Sequence, residues 1–510
     1  MVKVWKILAL LLVITVLVWI TTLWRWQSAM VNPGASDVII HLALMPLVLT
    51  AALVLTVWLI KRLRAYAAAP IVPASAAGAA PAADAVPAGN THALPFKVLA
   101  SNVFVRAGAD WSGAQSGIET GDCRPELDTQ LKDNDGIAVF TAAMPGLACD
   151  SVSEAVNELL SRLKTRQPDV WNGFECPAEV LRTLALMEGS VIGMRESLEA
   201  QWSVLSAPLS SPRLKPAAPA SPVESSALAP TVSIRVAIPS RWSASAQQLA
   251  QAWLDQLFEP MISAGLQAAG QSRAMAKSVQ PVVQLHVHAV DTAEAFWLLA
   301  DQQLMQWQRD GATGLLFALA ADSLLSEAAV HHMAAAQELF SGTNQRGRVP
   351  GEGAAALLLA SPTWPELAQA EPALAQMHRA SLMRRDKAAD AAGRIGSAVL
   401  LQAAGDALKG SGVEATQIKH LTSDADHRGS RSGELFEVLQ ALLPHLDSAS
   451  DVLRLGAGCG DLGVSRLLAC IALCATQVKG SAKPSLVLGN FSPFDRFAVV
   501  LTPPVPAHAA

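Results

Sequence analysis

The chain has 510 residues, enough for roughly three domains of ordinary size, with a formal net charge of −5 and 16% charged residues. Its basic residues form no block or stripe, which excludes an electrostatic footprint for nucleic acid. Six cysteines (Cys123, Cys149, Cys176, Cys459, Cys470 and Cys474) are too few and too scattered for a disulfide framework and read as reduced thiols.

The N-terminal 66 residues read as a membrane hairpin. Ile7 to Leu23 is apolar apart from Thr15, Thr21 and Thr22, and Val38 to Ile60 is a second, longer run. A bilayer core of about 30 Å takes about 20 apolar residues in a helix, so residues 7–23 and 38–60 are both long enough to span it. Trp5, Trp19, Trp24, Trp26, Trp58 and Tyr66 stand near the ends, where amphipathic rings prefer the interface. Trp24-Arg25-Trp26 is a poor small-residue cleavage site, which argues against a removed signal peptide. Lys3 and Lys6 precede the first run and Lys61, Arg62 and Arg64 follow the second, against Arg25 alone in the loop between. Positive residues stay inside, so the expectation is a multi-pass inner-membrane protein with both termini and the soluble region in the cytoplasm.

Residues 67–95 are nearly all Ala, Pro, Gly and Val and read as an extended tether. A second Pro/Ser/Ala-rich stretch, residues 206–231, divides the soluble part into blocks 96–205 and 232–503. The first block opens with the strand pattern FKVLASNVFV (Phe96 to Val105). A second strand candidate, Ile137 to Met144, follows the turn Asp133-Asn134-Asp135-Gly136, and helical patterns come after it. In the second block, strands VSIRVAI, VVQLHVHAV, GLLFALA and AAALLLA alternate with helical stretches, one of them running through His331 and Leu339. LVLGN and RFAVVLT close the chain. Such alternation predicts a layered α/β architecture with a mixed sheet.

Arg348 to Ala360, RVPGEGAAALLLA, places a Gly-Glu-Gly turn (Gly351, Glu352, Gly353) before a strand of small residues that must pass between close neighbours. This junction resembles one in the β-ketoacyl synthase branch of the thiolase superfamily. Ala318 to Glu327, Leu421 to Gln440, Leu455 to Cys474 (with Gly460 and Gly463 in its glycine-rich turn) and Leu486 to Leu501 are similar to further segments in the family's order. The resemblance implies a thiolase-like αβαβα fold over about Val232 to Leu501.

It also implies a nucleophilic cysteine on a helix N-terminus upstream of Ala318, yet no cysteine lies between Cys176 and Cys459. His427 stands where the family has one histidine, without its Thr-rich surroundings, and Cys459-Gly460-Asp461 stands where the second should be. Condensation needs a thiolate and two histidines, so the resemblance implies lost chemistry and a binding role. The layout, with residues 96–147 and the Gly-Glu-Gly junction, also resembles the type VI secretion lipase adapters. That implies a non-catalytic protein whose partners are an effector lipase and the secretion spike, with no cofactor; thiolase folds pair through a sheet edge, which leaves a homodimer open. The competing reading is a membrane-associated acyltransferase using Cys459, with Asp461 and His427.

Three further patterns have plain structural explanations. Gly458 to Gly463 satisfies G-x-G-x-x-G after a strand, but the next strand ends at Asn490 without the acidic residue a ribose calls for. His286 and His288 share a strand face with no evident third metal ligand. Cys470 and Cys474, one helical turn apart, fit an apolar face.

Overall fold

The structure, a computed structural model, describes residues 94–202, 230–271, 282–366, 371–391 and 396–504, with four single positions nearer the start (Thr15, Trp19, Ser28 and Met45). The two apolar runs lie almost wholly outside the described residues, as do most of both linkers. Among the described residues, no helix is long and apolar enough to cross a membrane.

The first described stretch contains β1 (Phe96–Val105), α1 (Trp111–Thr120), β2 (Glu126–Lys132), β3 (Ala138–Thr141), α2 (Asp150–Arg166), α3 (Pro168–Trp171) and α4 (Ala178–Ala200). Then come β4 (Thr231–Pro239), α5 (Ala244–Gln271), β5 (Val282–Val290), α6 (Ala293–Asp310), β6 (Gly314–Ser323), α7 (Glu327–Ala335) and β7 (Glu352–Ala360). The last part runs β8 (Ala375–Met377), β9 (Ser381–Arg384), α8 (Ala398–Ser411), β10 (His420–Ser423), α9 (Gly429–Leu442) and β11 (Val452–Arg454). It ends with α10 (Leu455–Cys459), α11 (Arg466–Ser481), β12 (Ser485–Gly489) and β13 (Asp495–Thr502).

The strand order contains a duplication. In one half, β5-β4-β6-β7-β1, the strands β4, β5 and β6 are parallel and β7 is antiparallel to both β6 and β1. In the other, β11-β10-β12-β13-β8, the strands β10, β11 and β12 are parallel and β13 is antiparallel to β12, β8 and β9. The halves join where β1 meets β8, with Phe96 opposite Met377 and Val98 opposite Ala375.

Burial on both faces explains the long apolar strands. In β7, Ala355, Leu357 and Leu359 face a core that holds α6 and α11 between the half-sheets. Ala354, Ala356, Leu358 and Ala360 face a second core under α2, α4 and α5. A third core lies between α8, α9 and the outer face of β10, β12 and β13. Helix, sheet, helix, sheet, helix is the layering expected from the sequence: a mixed α/β fold. Local signals set the central helix α6. Thr292 caps it, its side chain accepting from the Ala295 N–H at 3.1 Å, and Gly311, at φ 60°, ends it in the left-handed conformation.

The structure differs from the sequence reading in three places. Blocks 96–205 and 232–503 have no separate cores: residues 89–510 form one compact unit, and β1 lies between β7 and β8 in the main sheet. The helix expected through Leu339 stops at Ala335, because Gln337 turns left-handed (φ 56°) and Leu339 bridges to Arg348. The Gly-Glu-Gly segment is the start of strand β7 rather than a turn: Glu352 and Gly353 pair with Ser323 and Asp322 of β6.

Candidate functional site

The parallel strands of both halves end at one cleft of about 770 Å³. Arg241 follows β4, Asp291 and Thr292 follow β5, Asp322 closes β6, Arg428 follows β10 and Phe491 to Pro493 follow β12. Carboxyl ends of parallel strands are where open α/β sheets place ligands, and the volume suits a small molecule or a protruding side-chain cluster.

Its floor is made of ion pairs, two of which, Arg348–Asp461 and Arg466–Glu294, join the two halves. Arg241 holds Asp322 in a two-pronged pair, with Nη1–Oδ2 at 3.0 Å and Nη2–Oδ1 at 2.6 Å, and the Val464 N–H donates to the same carboxylate at 3.2 Å. Arg348 sits between Glu338 and Asp461, the latter at 2.5 Å. Arg466, at the start of α11, pairs with Glu294 in the first turn of α6, and its Nε lies 3.3 Å from Asp424 Oδ2. Asp424 Oδ1 accepts from the N–H groups of Asn490 (2.7 Å) and Phe491 (3.0 Å). Arg428 holds Asp426 at 2.7 Å and lies over the Phe491 ring, 4.7 Å from its centre.

These surroundings push the two buried aspartates apart. Burial, with Glu294 nearby, outweighs Arg466 and raises Asp424 to about 6. Burial works the same way on Asp461, but Arg348 and Arg466 outweigh it and hold that carboxyl below its ordinary range. Desolvation makes such pairs weak sources of net stability, yet removing one member leaves a buried charge exposed to apolar surroundings. The arrangement can present charges to a ligand and fix the halves in register. Among the described residues lining the cleft there is no cysteine, and His332 is the histidine.

The three residues named for a catalytic alternative are not brought together. Asp461 lines the cleft. Cys459 is fully buried below it, beside Cys123, and burial pushes its thiol up to about 12. His427 is exposed and packs its ring edge-on against Phe340, 4.9 Å between centres, outside the cleft lining.

The glycines and Glu352 hold the architecture. Glu352 is fully buried and accepts from Arg182 Nε (2.7 Å), Ser323 Oγ (2.9 Å) and the Met144 N–H (2.8 Å), tying α4 and the segment after β3 to β7. A Cβ on Gly351 would overlap the Cys459 carbonyl, and one on Gly353 would stand 2.9 Å from the Phe104 carbonyl. Gly460 and Gly463 have φ of 64° and 54°, and a Cβ on Gly463 would overlap the Asp322 carboxylate. In the G-x-G-x-x-G stretch, Asp461 accepts from the Gly463 N–H at 2.9 Å, so a protein carboxylate occupies that turn.

His286 and His288 stack 6.2 Å apart on β5. Burial, with Arg235 nearby, lowers His288 to about 4, and no metal-capable group of three ligands exists among the described residues. Cys470 and Cys474 are fully buried in α11. Sequence reasoning missed Arg241, Glu294, Asp322, Asp424 and Arg466. The available signal was a charge set inside or at the end of an otherwise apolar run, as in ALAADSLL and VSRLLACIALC.

No protein-family model and no curated protein matches this chain. Solved structures do, at low identity. One is a type II polyketide synthase acyl-carrier protein in complex with its ketosynthase: 10% identity, 81% of this chain and 100% of that one, TM-score 0.48. Another is a β-ketoacyl synthase from Burkholderia phymatum (11%, 81% and 100%, TM-score 0.44). A third is the ishigamide ketosynthase/chain length factor (15%, 80% and 99%, TM-score 0.44). Superpositions this loose carry nothing about activity; the duplicated strand order and the five layers define the class, a mixed α/β protein.

Proposed function

We propose that this chain is a non-catalytic, membrane-anchored adapter of thiolase-like build that binds a lipase-type effector for loading onto a type VI secretion spike. The observation that carries this reading is the cleft floor. Helix α6 lies upstream of Ala318 and its start opens on the cleft. The resemblance puts a thiolate at such a start, but the chain there reads Thr292-Ala293-Glu294, and Glu294 is engaged by Arg466. Acyl transfer through a thioester needs a nucleophile that can shed its proton, and a guanidinium–carboxylate pair supplies none. The competing acyltransferase reading must use Cys459, which is fully buried with its thiol pushed up to about 12.

The adapter role is supported by two segments that carry the resemblance and lie in contact. Ala142 bridges Gly351, and the Met144 N–H donates to Glu352 at 2.8 Å. The membrane anchor is supported by the apolar runs 7–23 and 38–60 and by basic residues at their outer ends, which put the described region in the cytoplasm. A phosphatase reporter fused after Arg64 is then inactive and one near Asn32 active. A homodimer would pair through β5, one of the two strands that end the sheet.

Purification of the tagged full chain from its own host tests the adapter role. A lipase and a spike protein co-purify if it is right; a folded preparation that retains neither overturns it.

A further inference from the structure

The hairpin β2–β3 forms its own two-stranded sheet. An isolated pair of strands is marginal in water and needs packing on one face. Val139 supplies that packing, buried against Val330 and Met333 of α7. Strand alternation then turns Phe140 outward, 39% exposed, directly opposite Leu127, which is 56% exposed. The row continues off the hairpin: the Phe140 and Phe340 rings meet edge-on at 5.7 Å, and Phe340 meets His427 at 4.9 Å. Single exposed apolar residues are ordinary, but a contiguous row of them marks an interaction surface. The rim that the hairpin gives it is acidic in sequence: residues 122–141 carry Asp122, Glu126, Asp128, Asp133 and Asp135 against Arg124 and Lys132, with Glu126 paired to Arg106.

We infer that this face docks a protein partner whose contact patch is apolar at its centre and basic at its rim. The acidic rim repels anionic lipid headgroups, so a bilayer is the wrong partner. The same rim steers a basic surface into place and rejects acidic ones. This names the surface through which the proposed adapter grips its cargo, and it rests on that reading.

The test uses the full chain in its own host, with the photo-cross-linking residue p-benzoylphenylalanine in place of Phe140. A control carries it in place of Leu266, 46% exposed on α5. Irradiation is expected to give one protein adduct specific to position 140, whose cross-linked peptide has net positive charge and apolar residues. Leu127→Asp and Asp135→Lys, both at exposed positions, are each expected to lower its yield about tenfold. Four results overturn the inference: no adduct above the Leu266 control, an acidic cross-linked peptide, a second copy of this chain, or a yield unchanged in both variants. A lipase that co-purifies equally with the wild type and Leu127→Asp sinks this surface and leaves the adapter role standing. A basic partner cross-linked at Phe140 that is not a lipase upholds the surface and sinks that role.

Discussion

Glu294, in the first turn of α6, and Arg466, the first residue of α11, form a buried ion pair between the two helices that fill the space between the half-sheets. The pair occupies the first turn of α6 and joins the two halves beside the cleft.

Removing the cation is therefore expected to be severe. Arg466→Met leaves Glu294 and Asp424 buried without their shared partner, at a cost of about 3–5 kcal/mol. Urea denaturation of residues 89–510, followed by tryptophan fluorescence, reads this as a lower midpoint at unchanged slope. A midpoint shift equivalent to less than about 1 kcal/mol would show that the pair does not hold the halves together.

Asp424 gives the fold a pH signature. Its folded-state value, about 6, lies above the ordinary 3.8, so the folded protein holds this proton more tightly than the unfolded chain does. Below about 4 the group is neutral in both states and costs nothing. As pH rises from about 4 to 6 the unfolded chain releases the proton first and stability falls, by about 3 kcal/mol in all, then levels off. Asp461, held low, acts oppositely at the acid end: its contribution is full above the unfolded value and is lost as pH falls through the folded one. Comparing unfolding free energies of the wild type and Asp424→Asn from pH 4 to 7 isolates the first effect. The difference should move against the wild type across that range, and a flat difference would contradict the raised value.

The layers of this fold were legible because they are written in apolar runs. Gly314 to Ala320 and Ala354 to Ala360 are buried on both faces and read as strands from composition alone. The place of β1 was not legible. Its alternating pattern marks a strand, but 246 residues, the Pro-rich stretch 206–231 among them, separate it from its partner β7, and nothing local encodes which edge it joins. The site was legible only in Asp461 and its neighbouring glycines. Gly460 and Gly463 announce a tight turn, whereas Arg466 becomes meaningful once tertiary structure sets it against Glu294, 172 positions away.

Cysteine chemistry distinguishes the binding reading from the enzymatic one. With its thiol near 12, Cys459 is about one part in ten thousand thiolate at pH 8, too little for a nucleophile. Native protein treated with iodoacetamide should leave Cys459, Cys470 and Cys474 unlabelled, and all three should react after unfolding in urea. Acyl-CoA should leave no covalent adduct by mass spectrometry. An acyl group found on Cys459 would restore the acyltransferase alternative.

The shared sheet makes a final, sharper demand. Eight residue pairs join β1 to β7, from Lys97 opposite Ala360 to Val105 opposite Gly353, and Val98, Val103 and Val105 insert into the core that holds α6 and α11. Without β1, residues 230–510 would expose the edge of β7 and the apolar faces beneath α4, an edge prone to pairing with other chains. Residues 89–205 alone would keep α2 and α4 but lose the sheet on which α4 packs, including Leu315, Phe317 and Leu358. Each fragment produced alone is therefore expected to be insoluble or unfolded. Produced together, cut within the linker 206–231, they should assemble and co-purify as a one-to-one complex. Its melting temperature should fall below that of the uncut chain mainly through the lost covalent tether, and rise with concentration. A residue 230–510 fragment that folds alone, with the native near-ultraviolet circular dichroism of its tryptophans, would show instead that the two blocks are independent and that β1 is an accessory strand.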